Sequence, residues 1–353
     1  MKRKIIFTLL IFIFFITICT NMPIVNAKTS KDFSQSVSEI VMETNSKRIL
    51  YQNNIHEKKY MASTTKILTA ICVIENIDVD REITVTNKTI GIEGSSIYLE
   101  EGEKLTIKHL LYGLMLRSGN DCAETLAVAC SGSIKDFAFL MNDTARKIGA
   151  KNSNFVNPHG LHDENHYTTA YDLALISCYA MKNETFREIV STRKIEIPFT
   201  TRDYNRVLFN KNKMLKEFEG STGIKTGYTK KAGRCLVSSC SRDGLELVSV
   251  VLNCPPMFER SKEILSHCYN NFTNYKILES DNIIDFIDSD KGSIPIYIKK
   301  DVILPLTDDE YKNISIKYNY PNAITNFDDE VIGNVEIYTS SNLIFTEKLY
   351  IMN

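Results

Sequence analysis

The most informative stretch of the chain lies at residues 61–74 and reads MASTTKILTAICVI. It is apolar and rich in helix formers, which predicts a buried helix that opens near Ser63. Side chains three residues apart share a helix face, so Ser63 and Lys66 would present a hydroxyl and an amine to one pocket. A serine hydroxyl needs a base to become a good nucleophile, and a lysine can act as that base when burial or nearby positive charge lowers its pKa. We therefore expect Ser63 to be a nucleophile and Lys66 its general base.

A second motif follows at residues 118–120, which read SGN between two helical patterns. Glycine followed by Asn and Asp interrupts a helix and caps the next one, so we expect a loop here. The Ser118 hydroxyl can relay a proton between the lysine and a leaving group. The Asn120 amide can hold a substrate carbonyl and fix the lysine.

A third motif, KTG at residues 225–227, is expected on or near a strand. Lys225 can attract a terminal carboxylate, and Thr226 can donate a hydrogen bond to it. Gly227 has no side chain, so a substrate strand can lie close against the backbone. The backbone N–H groups of Ser63 and Tyr228 would then form an oxyanion hole worth a few kcal/mol of barrier.

Each motif alone is weak evidence, because residues 191–194 repeat the SxxK pattern and residues 340–342 repeat SxN. The ordered set of three is much more specific, since no suitable partners follow the second SxxK in matching context. The set predicts an acyl-transfer site that works without a catalytic histidine.

The chain resembles the serine-type D-alanyl-D-alanine carboxypeptidases, the low-molecular-mass penicillin-binding proteins of peptidase family S11. The likeness extends beyond the three motifs to segments similar to those of the family: residues 61–66 (MASTTK), 94–99 (GSSIYL), 116–121 (LRSGND), 157–161 (NPHGL) and 225–229 (KTGYT). It covers about residues 35–275 strongly and the remainder more loosely. The residue after KTG is a histidine in some relatives and Tyr228 here, which bears on substrate preference.

The resemblance implies an α+β fold: a β-lactamase/transpeptidase-like domain, with a central antiparallel sheet flanked by helices and a helical subdomain, followed by a small all-β domain. It also implies attack by Ser63 on the penultimate D-Ala carbonyl of a peptidoglycan stem peptide, an acyl-enzyme, loss of D-Ala, and release by water. β-Lactam antibiotics mimic this peptide end and would trap Ser63. Cleavage of cross-linked D-Ala bonds uses the same chemistry. No metal or organic cofactor is implied.

The chain divides into three predicted parts: residues 1–27, 28–275 and 276–353. Basic residues at 2–4, an apolar run over 5–19 and VNA at 25–27 predict a signal peptide cleaved after Ala27. An uncleaved anchor is the alternative. We expect an exported, extracytoplasmic protein, either in the cell wall or secreted. Anchored relatives usually end in an amphipathic helix, whereas this chain ends in a strand-like segment, so no stable membrane anchor is expected after cleavage.

The periodicity of the chain predicts its main elements. We expect a hairpin over 37–51, a β-rich segment over 82–107, and a second hairpin joining strands at 236–239 and 245–252. Helices are expected at 109–116, 122–129, 134–148, 170–181 and 258–269. After about residue 275 short strands dominate, at 294–298, 314–318, 335–338 and 343–349.

Charge and cysteine content exclude other classes. The formal net charge is −1 and no basic stripe is present, so no nucleic-acid partner is expected. The nine cysteines are scattered through apolar segments without any CxxC, which favours buried thiols over a structural zinc site. Histidines at 159, 162 and 166 lie in a polar loop without a metal-binding motif, and we expect no metal there.

Two alternatives remain. A class A-like β-lactamase uses a glutamate within Glu-x-x-Leu-Asn to activate water. Leu252-Asn253 is the only Leu-Asn in the chain and places Ser249 at the glutamate position, and the second motif is SGN instead of SDN. A catalytically silent wall-binding scaffold is the other alternative, but a pure binder has no need for a nucleophile.

Overall fold

The computed structural model describes residues 36–280, 282–290, 292–324 and 331–351. The predicted signal peptide lies outside the described residues. The strands are β1 Ser38–Glu43, β2 Ile49–Asn53, β3 Glu82–Thr84, β4 Lys104–Thr106, β5 Lys194–Ile197, β6 Arg206–Phe209, β7 Ser221–Thr229, β8 Gly233–Arg242, β9 Leu245–Leu252, β10 Thr273–Leu278, β11 Asp285–Ser289, β12 Gly292–Tyr297, β13 Val302–Leu306, β14 Ile314–Asn319, β15 Ala323–Ile324, β16 Val331–Thr339 and β17 Asn342–Ile351.

The α-helices are α1 Lys66–Asn76, α2 Ile107–Tyr112, α3 Asn120–Ser131, α4 Ile134–Ile148, α5 Ala170–Ala180, α6 Glu184–Ser191, α7 Met214–Glu217, α8 Met257–Asn271 and α9 Asp308–Lys312. Two 3₁₀ turns, Ala62–Thr65 and Asn87–Thr89, and a π turn, Gly113–Arg117, complete the described helical segments. Helices predicted at 134–148, 170–181 and 258–269 and the hairpin of β8 and β9 are confirmed.

A five-stranded antiparallel sheet forms the centre of the catalytic region, with strand order β2-β1-β9-β8-β7. Successive side chains of a strand point to opposite faces, and β1 shows this directly. Ile40 and Met42 join the core that includes α1 and α5, whereas Val41 joins the core beneath α8. The predicted central antiparallel sheet with helices on both faces is confirmed. Its edge strand, β7, carries the KTG motif.

The predicted β-rich segment over 82–107 is largely wrong. Only β3 and β4, three residues each, pair at its ends. Between them, Ile97 and Leu99 are buried and Tyr98 is exposed, an alternation that imitates a strand. The backbone N–H groups of Ile97 and Leu99 do not pair with a neighbouring strand among the described residues. They donate to Oδ2 of Asp121, at 3.2 Å from Ile97 and 3.1 Å from Leu99.

The C-terminal region is predominantly β structure, as predicted. Six strands form one sheet in the order β14-β16-β17-β12-β11-β15, and β10 pairs with β13. Its own apolar core is built from Ile296, Ile298, Val302, Leu304, Leu306, Val335, Ile337 and Leu349. The predicted boundary between residues 275 and 276 falls inside β10 and stays a prediction.

Within the described part of the chain, no helix combines the length and apolarity that crossing a bilayer requires.

Candidate active site

Ser63 lies in the 3₁₀ turn that leads directly into α1. The preceding residue, Ala62, has φ +48°, a conformation that L-residues rarely adopt. Two hydroxyls brace this turn: Thr64 Oγ1 donates to the carbonyl of Met61 at 2.6 Å, and Thr65 Oγ1 donates to that of Ala62 at 2.8 Å. The turn therefore presents Ser63 at the start of a buried helix, as predicted.

Lys66 is fully buried and its amine makes three polar contacts. Nζ lies 3.1 Å from Ser63 Oγ, 2.7 Å from Asn120 Oδ1 and 2.6 Å from the carbonyl oxygen of His159. Burial, and then the charge of Lys225, holds the pKa of Lys66 well below its usual value. An amine in this condition can accept a proton near neutral pH.

The SGN motif forms the opposite wall. Ser118 ends the π turn in the left-handed conformation, with φ +65°. Its Oγ is buried and has no hydrogen-bond partner among the residues that the structure describes. Asn120 is the first residue of α3, so the helix begins inside the segment that the sequence predicts as a loop. Its Nδ2 donates to the carbonyl of Glu93 at 2.5 Å, which orients Oδ1 toward Lys66.

Asp121 has a different role from the helix cap that a sequence reading suggests. Its carboxylate accepts hydrogen bonds from Ser96 Oγ at 2.5 Å and from the N–H groups of Ile97 and Leu99. It thereby fixes the 94–99 loop beside the site. Ser95, on that loop, accepts the backbone N–H of Asn120 at 2.7 Å.

Strand β7 brings the KTG motif against the nucleophile turn. A methyl group at Gly227 would lie 3.1 Å from the backbone nitrogens of Ser63 and Thr64, so any other residue would force the nucleophile turn to shift by a few tenths of an ångström. Lys225 is buried, its Nζ donates to the carbonyl of Thr226 at 3.0 Å, and burial, then the charge of Lys211, lowers its pKa to about 7.

A cavity of about 310 Å³ opens above these groups. Five of the sequence-predicted residues line it: Ser63, Ser118, Thr226, Gly227 and Tyr228. Lys66 reaches it through its contact with Ser63, Asn120 contacts Lys66, and the charge of Lys225 acts on Lys66. The structure thus brings all eight predicted site residues together.

Two cations at the cavity, Lys211 and Arg234, were not identified from the sequence. Lys211 Nζ donates to Ser95 Oγ at 3.2 Å, and the guanidinium of Arg234 lies 5.7 Å from the ring centroid of Tyr228. No motif marks either residue. Arg234 could in principle have been found from the sequence, because the hairpin of β7 and β8 pairs it with Tyr228.

Segment 157–161 closes the site from behind Lys66. Thr69 Oγ1 donates to the carbonyl of Pro158 at 2.6 Å, and the next carbonyl, that of His159, accepts from Lys66. Gly160 has φ +88°, and a methyl group there would overlap the carbonyl oxygen of Ala62. The resemblance marked this segment, but its contacts with the base could not be read from sequence.

His159 and His166 are neutral components of this support. Burial, and then the charge of Lys66, lowers the pKa of each to about 3. His166 Nδ1 accepts from the N–H of Val156 at 3.1 Å, so Nε2 carries the proton and donates to Thr65 Oγ1 at 2.8 Å. In residues 36–280, 282–290, 292–324 and 331–351, no group of three or more His, Cys, Asp or Glu side chains could hold a metal ion. The eight described cysteines are free thiols.

A buried amine beside a serine hydroxyl, a second hydroxyl nearby and cations around the opening form an arrangement that can support acyl transfer of the serine–lysine type. A family model described as D-alanyl-D-alanine carboxypeptidase matches residues 25–255, and one described as penicillin-binding protein 5, C-terminal domain, matches residues 272–353. The chain belongs to the D-alanyl-D-alanine carboxypeptidase family. The predicted class, a serine-type DD-carboxypeptidase among the penicillin-binding proteins, is thereby confirmed.

Individual relatives agree with this assignment. The chain is 32% identical over 254 residues to the D-alanyl-D-alanine carboxypeptidase DacF of Bacillus subtilis, covering 70% of this chain and 65% of that protein. It is 33% identical over 233 residues to a D-alanyl-D-alanine carboxypeptidase of Streptomyces sp. K15, covering 62% and 80%. Penicillin-binding protein 5 from Haemophilus influenzae superposes with a TM-score of 0.79 at 27% identity, covering 90% and 96%.

Proposed function

We propose that the protein is an exported DD-carboxypeptidase that removes the terminal D-Ala from peptidoglycan stem pentapeptides through an acyl-enzyme on Ser63. The single observation that carries the proposal is the 3.1 Å contact between the buried amine of Lys66 and Ser63 Oγ. Burial and a neighbouring cation keep this amine available as a base, and a serine hydroxyl needs such a base to attack a carbonyl.

The reaction proceeds in two halves. In the first, Lys66 takes the proton of Ser63 while Oγ bonds to the carbonyl carbon of the penultimate D-Ala. The bond to the terminal D-Ala nitrogen then breaks, and the proton reaches that nitrogen through Ser118, whose unpartnered hydroxyl borders the same cavity. In the second half, water gives a proton to Lys66, attacks the ester and releases Ser63 with its proton restored.

Binding uses the positive rim of the cavity. The terminal carboxylate of the substrate is attracted by Lys225 and receives a hydrogen bond from Thr226, with Arg234 as a further cation. The peptide lies against Gly227 along the edge of β7, and Asn120 holds its amide. The N–H groups of Ser63 and Tyr228 stabilise the oxyanion. A β-lactam antibiotic carries an acyl group and a carboxylate in a similar arrangement, so it acylates Ser63.

The direct test is D-alanine release from a peptide ending in D-Ala-D-Ala by the purified chain and its variants. We expect Ser63→Ala and Lys66→Ala each to reduce kcat/KM by at least about 10³-fold. Ser191→Ala is the matched control: it alters the second SxxK, where Oγ only donates to the carbonyl of Glu188, and should leave release unchanged.

A fluorescent penicillin provides the second arm of this test. It should label the wild-type chain and Ser191→Ala but not Ser63→Ala. Labelling of Ser63→Ala would show that another residue is the nucleophile. Rapid turnover of penicillin without peptide cleavage would instead indicate a β-lactamase, and a folded chain that neither cleaves nor labels would indicate a wall-binding scaffold.

A further inference from the structure

The 94–99 loop borders the active site, although none of its residues, all of them described, lies in a helix or strand. The backbone polar groups that it buries therefore need partners from elsewhere in the fold. Asp121 supplies an acceptor for the N–H groups of Ile97 and Leu99. The carbonyls of the same stretch face a donor, the guanidinium of Arg206 on β6. A carboxylate and a guanidinium thus hold the loop from its two polar sides.

Arg206 binds two consecutive carbonyls. Its Nε donates to the carbonyl of Ile97 at 3.0 Å, and its Nη2 donates to that of Tyr98 at 2.8 Å. Tyr98 has φ +60°, and a strained backbone of this kind persists only where its surroundings over-determine it. The Tyr98 side chain is 80% exposed, so packing of the ring does not supply that constraint. Hydrogen bonds to its backbone do, from Arg206 to the carbonyl and from the N–H group to Ser96 Oγ at 2.7 Å.

The guanidinium is itself fixed in place. Nη1 and Nη2 pair with the two carboxylate oxygens of Glu103, and the side chains of Arg206 and Glu103 are 7% and 0% exposed. The ring of Phe199 lies against the guanidinium, with its centroid 3.3 Å from Cζ. A buried ion pair is weak evidence for a gain in stability, because desolvation offsets the attraction. A planar fork of donors can, however, reach a carboxylate and two carbonyls at once, which a lysine ammonium cannot.

The loop in turn holds Asn120. The carbonyl of Ser95 accepts the backbone N–H of Asn120 at 2.7 Å, and the carbonyl of Glu93, just before the loop, accepts Nδ2 at 2.5 Å. Gly94 lies against the same amide, since a methyl group there would be 2.8 Å from Nδ2. With Nδ2 held in this way, Oδ1 faces Lys66 Nζ at 2.7 Å. A shift of the loop therefore moves the oxygen that contacts the amine.

We propose that Arg206 is a positioning residue: it fixes the 94–99 loop, and through that loop it keeps the amide of Asn120 aligned with Lys66. The inference rests on the proposed function, because it treats this amine as the catalytic base. Without the guanidinium, the loop carbonyls lose their donor and the amide oxygen is less often at the amine. A displacement of about 1 Å at a reacting group can slow a reaction ~10²-fold, so an indirect support of this kind is worth about three- to tenfold.

The main variant is Arg206→Lys in the full chain, which keeps a cation beside Glu103 but loses the fork of donors. Arg48→Lys is the matched control, because the Arg48 side chain is 12% exposed and also bonds a backbone carbonyl and a glutamate, away from the cavity. For Arg206→Lys we expect kcat for D-alanine release and the rate of acylation by a fluorescent penicillin to fall about three- to tenfold, with KM changed less than kcat. Arg48→Lys should stay within about twofold of wild type in both assays.

A double variant tests whether Arg206 acts through Asn120. We expect Asn120→Ala alone to slow acylation at least about 100-fold, and the addition of Arg206→Lys to slow it by less than about twofold more. Residues that act as one unit are not additive, whereas a merely structural loss would slow both backgrounds by the same factor. Hydrogen exchange supplies a readout that is independent of catalysis. Arg206→Lys should speed exchange in the 94–99 loop and at the start of α3, and leave exchange in β8 and β9 unchanged.

Four outcomes would overturn the proposal. These are an Arg206→Lys enzyme as fast as wild type, factors that multiply in the double variant, a loss confined to KM, or unchanged exchange in the 94–99 loop. If Arg206→Lys fails to fold, Arg206→Gln combined with Glu103→Gln leaves neither side chain charged and carries the same test, with the same expected loss. Failure of the proposed function looks different, because the wild type itself would neither cleave nor label. Failure of this inference alone leaves the wild type and Arg48→Lys active.

Discussion

Lys66 and Lys225 are two buried amines in one site, and neither forms an ion pair with a carboxylate among the described residues. Burial disfavours the ammonium form of each, and the charge of Lys225 disfavours that of Lys66 further. Only the free amine of Lys66 can accept the proton of Ser63. In the proposed mechanism, activity therefore falls as the pH drops through the pKa of Lys66, which the charge of Lys225 helps to lower.

Replacing Lys225 tests that dependence. Lys225→Gln removes the like charge, so the pKa of Lys66 rises and the acid limb of kcat/KM for D-alanine release moves to higher pH. The plateau should also fall about 10- to 100-fold, because a charged hydrogen bond to the substrate carboxylate is lost. Lys225→Arg retains the cation and should keep the limb at or below its wild-type position. Acid limbs that coincide in all three enzymes would contradict this coupling.

At the scale of elements, the nucleophile turn and segment 157–161 support each other. The turn contains the strained Ala62, and Gly160 packs directly on its carbonyl. Strained backbone persists only where its surroundings over-determine it. Thr65 and His166 brace the same carbonyl from the other side, since His166 donates to Thr65 and Thr65 donates to Ala62. The position of Ser63 thus depends on a close backbone approach.

Gly160→Ala should disrupt this approach. The new methyl group would overlap the Ala62 carbonyl, so we expect a loss of about 3 kcal/mol in the free energy of unfolding and at least tenfold slower penicillin acylation. Gly132→Ala is a matched control, because Gly132 also has positive φ, +80°, but no atom within 4 Å of the added group. It should cost about 1 kcal/mol without changing acylation. Equal losses in both variants would show that the overlap is relieved cheaply.

The elements also show where sequence reasoning succeeds and where it stops. Sequence reasoning could predict the three motifs, SxxK, SGN and KTG, together with the helix and strand that support them. Hydrophobic periodicity determines these elements, and the local chemistry of the side chains determines the motifs. The 94–99 loop was not predictable, because its strand-like alternation is held by the distant carboxylate of Asp121. The contacts of Lys66 with His159 and of Arg206 with Ile97 join residues 93 and 109 positions apart, and no local pattern records such pairs.

At the scale of the whole molecule, Arg48 joins the catalytic sheet to the C-terminal β region. Its guanidinium donates to the carbonyl of Pro305 at the end of β13 and pairs with Glu310 on α9, and it lies 5.6 Å from the ring centroid of Phe272. The general order of an α+β region followed by a β region was predictable from the change in strand pattern. The contact of Arg48 with the C-terminal region was not predictable, because the sequence around an arginine near a turn indicates only an ordinary surface residue.

The contribution of this connection can be measured with Arg48→Met, which keeps the apolar stem and removes the charge. Arg48 is mostly buried and Glu310 partly so, at 12% and 27% side-chain exposure, and we expect a loss of about 1–3 kcal/mol in the free energy of unfolding. Calorimetry should then show Tm lowered by several degrees, roughly 3 °C per kcal/mol. Peptide cleavage should be unchanged, because Arg48 is not among the residues that line the active-site cavity. Arg81→Met is the control, since Arg81 is exposed and has no side-chain partner within the described ranges. An Arg48→Met chain that melts with the wild type would mean that solvent replaces the arginine at no cost.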